Sequence, residues 1–92
     1  MSSTCSFTRH AWQRMQQRSI PSGVVDLILE YGHEAEAGEG ASRFALDKDS
    51  LRAIRRSFGT QFADALNRYR SAYVVANGER VITAAFASRP IF

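Results

Sequence analysis

One cysteine (Cys5), one lysine (Lys48) and two prolines (Pro21 and Pro90) are among the scarcest residues of this 92-residue chain. A lone thiol forms no intramolecular disulfide and builds no cysteine knuckle for a metal, which fits a reducing compartment. There is no repeat, low-complexity tract or linker-like Pro/Ser run, so the elements belong to one cooperative unit. No stretch approaches the roughly 18 apolar residues of a membrane span. Met1 to Thr8 is polar and lacks the basic and apolar regions of an export signal. A cytoplasmic protein without membrane contact is therefore expected. The length excludes two independent cores, so residues 1–92 read as a single domain, with 1–7 as a flexible polar tail.

What is present supports a packed globule: 45% of the residues are hydrophobic and ten are aromatic, which argues against a disordered adaptor. A core of this size is marginal, so dimerisation or an inhibitor protein covering apolar surface would add stability. Eleven of the twelve basic residues are arginine, a bias toward planar, bidentate contact with phosphate or carboxylate. Charge is also segregated. Ser19 to Ser42 holds five acids and no base, whereas Arg43 to Arg70 holds seven bases against three acids. An anionic partner, RNA first among them, is one reading of this pattern, and solvated helix faces are the other.

Thr8 can N-cap a helix running through Gln17, in which Ala11 and Met15 share an inward stripe while His10, Arg14 and Arg18 share another. Pro21 suits the first turn of a second helix with Val24, Leu27, Ile28 and Tyr31 at helical spacing and Gly32 as a left-handed C-cap. Residues 33–37 and 41–46 alternate around Gly38-Glu39-Gly40, which predicts a hairpin. Asp47 or Asp49 caps a third helix with Leu51, Ile54 and Phe58 on one side and Arg52, Arg55 and Arg56 on the other. Gly59 ends it, and Phe62 and Leu66 begin a further helical turn. Tyr69 to Ala76 and Arg80 to Phe86 flank Asn77-Gly78, which predicts a second and central hairpin. The sum is an α+β fold: two N-terminal helices and a mostly antiparallel sheet of about four strands, with a helical insertion between two hairpins and the helices on one face.

The run His10-Ala11, Arg14-Met15, Arg18-Ser19-Ile20-Pro21, an apolar helix ending at Tyr31-Gly32, and the strand Gly78-Glu79-Arg80-Val81-Ile82-Thr83 resemble the bacterial domain-of-unknown-function family 4258. That family is grouped with the RelE/ParE-like toxins, which cleave RNA or poison gyrase. The resemblance spans most of the chain and implies two N-terminal helices, a curved antiparallel sheet and a place in a toxin–antitoxin pair. The helices at 48–58 and 60–66 look like an enlargement where many relatives have a shorter connection.

For chemistry, His10 offers an imidazole suited to general acid or base work on a ribose 2′-hydroxyl, with Arg14 one turn away and Arg18 beyond it to hold the scissile phosphate. The plainer reading is a histidine that fixes its helix, with Arg14 and Arg18 paired to Asp26 or Glu30. His33, just past a helix C-terminus, fits a cap better than a catalyst. Convergence with His10 would instead make an acid–base pair for metal-independent transesterification. Arg43, Arg52, Arg55, Arg56, Arg68 and Arg70 are the candidates for RNA phosphates or an acidic inhibitor. Tyr73 can stack on a base and Thr83 can add a hydroxyl, though core packing and β-propensity explain both. No metal or other cofactor is expected, because the histidines lie far apart and the acids lack ligand spacing. Three functions remain open: a RelE-like endoribonuclease acting on RNA or the ribosome, a non-catalytic interaction module of the same fold, and a gyrase poison using Ile91-Phe92.

Overall fold

The computed structural model describes residues 6–88. Helix α1 spans Arg9–Arg18, and Thr8 starts it: the hydroxyl oxygen accepts from the Ala11 amide at 3.0 Å and donates to the Ile82 carbonyl at 3.2 Å. The cap thus satisfies a free helical donor and pins the helix to the last strand. Ala11 and Met15 face inward and are buried. Ser19 closes the helix in the left-handed region at φ 56°.

Helix α2 (Ser22–Tyr31) follows, with Pro21 as its N-cap and Val24, Val25 and Ile28 buried. Gly32 is not the left-handed cap that the sequence suggests: its φ is −70° and its ψ 160°, so the chain leaves the helix directly into a strand. Glycine is required there for space, because a Cβ would run into the Ile28 and Ala45 carbonyls. Strands β2 (His33–Gly38) and β3 (Ala41–Ala45) form the first hairpin, turning through Gly38, Glu39 and Gly40, all at positive φ.

The insertion comprises α3 (Lys48–Phe58), α4 (Thr60–Leu66) and a 3-10 turn (Asn67–Tyr69). Asp47 caps α3 through a capping box: its carboxylate accepts from the Ser50 amide at 2.7 Å, and the Ser50 hydroxyl accepts from the Asp47 amide at 3.2 Å. Strands β4 (Ala72–Asn77) and β5 (Arg80–Phe86) complete the second hairpin. Tyr69 and Arg70 do not begin β4 as their composition suggests. Tyr69 instead stacks on Phe86 with ring centroids 6.2 Å apart, a contact that holds it in the turn before the strand.

Among the described residues the sheet has five strands rather than about four, in the order β1-β5-β4-β3-β2. The additional strand, β1 (Ser6–Phe7), pairs in parallel with Arg80 and Val81, and the other pairings are antiparallel. Residues 6 and 7 therefore do not belong to a flexible tail: the Ser6 amide donates to the Glu79 carbonyl and the Phe7 ring packs on Trp12. As expected for the strand between two apolar faces, β4 is central.

Register assigns the two faces. Phe44, Ala72, Val74, Val81, Ala84 and Phe86 look toward the helices, in or against a single core cluster with Ala11, Val25 and Ile28. Leu51, Ile54, Ala63 and Leu66 of the insertion join the same cluster. The insertion thus extends the helical layer. Arg43, Tyr73, Val75, Thr83 and Ala85 occupy the other face, half-buried and outside that cluster.

Candidate functional site

Helix α3 separates two chemistries. Its inward stripe is Ser50, Leu51 and Ile54, and along one flank Lys48, Arg52 and Arg55 recur at i, i+4 and i+7, which puts three cations on one side of the rod. Gly59, at φ 98°, stops the helix and lets α4 fold back against it. The chain then brings Asn67 and Arg70 to the same flank, so that Lys48, Leu51, Arg52, Arg55, Asn67 and Arg70 line one open groove of about 250 Å³. Its four cations come from one helix and the segment leading into β4.

Two carboxylates neighbour this groove: Asp49 lies 3.1 Å from Arg52 and Asp64 lies 3.9 Å from Arg55. All four of those side chains are about half exposed or more, so the pairs are worth well under about 1 kcal/mol and exchange readily for another anion. Arg70 is half-buried at the groove's edge nearest β4. Such a constellation of guanidinium and ammonium groups is suited to holding phosphates.

The opposite flank of α3 is acidic. Tyr31, His33, Asp47, Asp49 and Ser50 border a second concavity of about 250 Å³, in which His33 Nδ1 sits 3.8 Å from Asp47 Oδ2. The Ser50 hydroxyl donates to Asp47 Oδ1 at 2.6 Å, so its proton is committed to the cap and not to the imidazole. These bonds hold the Asp47 carboxyl below the usual carboxylate range, first through the Ser50 hydroxyl, then through the Ser50 amide and the charge of His33, against an opposing effect of burial. A depressed carboxyl stabilises the fold above its unfolded pKa of about 4, and that contribution disappears as pH falls through the lower folded value. Asp47→Ala is expected to cost about 1 kcal/mol near neutral pH. Thermal melts of both proteins should converge as the pH drops below about 4.

Helix α1 carries the trio read from the sequence. His10 and Arg18 are exposed and Arg14 is half-buried. Arg14 Nε donates to His10 Nε2 at 3.4 Å, a contact that needs the neutral ring with its proton on Nδ1. Among the described residues neither Arg14 nor Arg18 pairs with Asp26 or Glu30. His10 and Arg18 are thus open to solvent along one helix, with Arg14 half-buried between them.

Topology separates it from the other candidates. α1 packs on β5, and His33 opens β2 at the sheet's edge. Three strand spacings, about 14 Å, lie between those strands, so the two histidines do not form an acid–base pair. Arg43, Tyr73 and Thr83 share the sheet's open face, with Arg43 opposite Val75 and Val75 opposite Thr83. That face is the one turned away from α1. Arg43 Nε is buried there without a hydrogen-bond partner among the described residues. Arg56 is exposed beside the groove without lining it, and Arg68 lies over the Tyr69 ring at 5.4 Å.

Of the arginines singled out in the sequence, Arg52, Arg55 and Arg70 converge. Lys48 and Asn67 join them, beyond the residues that the sequence singles out. The spacing of Lys48 to Arg52 was a usable signal, whereas nothing local marks Asn67. Ile91 and Phe92, the residues relevant to a gyrase target, lie outside the described residues. Comparison of the chain with family models, with curated proteins and with solved structures finds no match.

Proposed function

We propose that this protein is an RNA-binding module of RelE/ParE-like fold that holds backbone phosphates in the groove between α3 and the segment leading into β4. The observation that carries this reading is the convergence of Lys48, Arg52, Arg55 and Arg70 on one open concavity with Asn67. Guanidinium forks donate in pairs to phosphate oxygens, and the released counterions drive association. Labelled single-stranded RNA titrated into the protein at rising salt is the test. Occupation of all four cations by phosphates predicts a slope of log K against log salt of about −3. Absent or salt-independent binding refutes the reading.

The exposure of His10 and Arg18 on one helix with Arg14 supports a second reading, a metal-independent endoribonuclease centred on α1, in which Arg14 leaves His10 Nε2 for the scissile phosphate and so frees that nitrogen's lone pair. There the imidazole takes the 2′-hydroxyl proton, the 2′-oxygen attacks phosphorus, the 5′-oxygen departs with a proton from water, and a 2′,3′-cyclic phosphate remains. It predicts RNA fragments with cyclic termini that vanish in a folded His10→Ala variant. If wild type and variant leave RNA equally intact, only the binding function stands.

A further inference from the structure

The insertion exposes two large aromatic rings: Phe58, three residues beyond the groove-lining Arg55, is 52% and Phe62 41% exposed. Their centroids lie 5.1 Å apart with the planes tilted by 41°. Tyr31 meets Phe58 edge-on at 6.2 Å, which ties the pair to α2 and makes it a fixed platform. Leaving such rings in water forgoes the burial that drives most of this fold, and the neighbouring charge indicates what would cover them. Phe58 follows Arg55 by three residues on α3, which places the two side chains about 5–6 Å apart at Cβ.

We infer that the Phe58–Phe62 platform takes an unpaired base while the adjacent groove holds the phosphates, so that the ligand is single-stranded RNA in preference to a duplex. This rests on the RNA-binding reading above and specifies its ligand. Aromatic stacking tolerates any base, whereas a duplex keeps its base faces inside and offers only its backbone. The two rings are too close for a base to enter between them, since intercalation needs about twice the ~3.4 Å stacking distance. The base therefore lies on an outer ring face.

The test uses the full chain with a labelled unstructured oligouridylate and with a duplex RNA of equal length. The single strand is expected to bind at least about tenfold more tightly, and Phe58→Ala and Phe62→Ala each to weaken it by about tenfold without changing the salt slope. Phe62→Leu keeps apolar area but loses the ring, so it should weaken binding nearly as much as the alanine variant. Circular dichroism before each titration confirms that the variants are folded. The inference fails if the duplex binds as well as the single strand. It fails equally if the phenylalanine variants bind RNA like wild type, which would leave the rings to a protein partner. In either case the groove would remain the RNA site so long as the salt slope persists, whereas loss of all RNA binding by wild type would remove both.

Discussion

Exchanging Arg52 and Arg55 together for glutamate is expected to weaken binding of single-stranded RNA by about a hundredfold or more at low salt. It should also flatten the slope of log K against log salt by about 1.4, the share of two phosphates on a single strand. Both guanidinium groups line the groove, and among the described residues their ion-pair partners are the exposed carboxylates Asp49 and Asp64. Reversal removes two attractive charges and sets two repulsive ones beside the same phosphates. Replacement by glutamine should have a smaller effect and flatten the slope equally, because the slope counts cations lost. The variants should melt within a few degrees of wild type, since surface pairs of this kind contribute little. Fluorescence anisotropy at several salt concentrations reads both quantities. Unchanged affinity and slope would remove the groove from the binding surface.

The second large effect concerns stability. Ile54→Ala is expected to cost about 3 kcal/mol, through lost transfer free energy and the cavity left behind. Ile54 is 0% exposed and joins α3 to the core shared by both N-terminal helices and the sheet. In a domain of this size that loss corresponds to a fall in Tm of roughly 12–24 °C. An insertion lying on the surface of an otherwise complete fold would tolerate the same change with a shift of about 2 °C or less. The size of the shift therefore shows whether the groove's main helix belongs to the cooperative unit. Since α3 carries three of the groove's four cations, a domain that loosened α3 would lose RNA affinity along with stability.

Much of the secondary structure is legible from neighbours in sequence. Thr8 and Asp47 reach backbone amides three residues on, and Ala11 and Met15 lie on one stripe because the helix repeats every 3.6 residues. Gly38-Glu39-Gly40 and Asn77-Gly78 mark turns where positive φ is cheap or the hairpin twist demands it. The errors have physical causes of the opposite kind. Gly32 is held by the space between the Ile28 and Ala45 carbonyls, and Tyr69 by a ring 17 positions further on, Phe86. β1 exists because Val81 offers it an edge, for two residues have no strand propensity that could be read alone.

The candidate site divides in the same way. That Lys48, Arg52 and Arg55 share a helix flank, and that His10 faces Arg14, follows from covalent spacing on a regular helix, so the chain by itself determined both. That Arg70 joins the first group, that Arg43 emerges on the face turned away from α1, and that His10 and His33 stay apart were decided only by sheet order and register. The reason is one of range. A hydrogen-bonded turn constrains residues within four positions of each other, whereas burial of one common core selects which distant segments become neighbours, and that selection is a property of the whole chain.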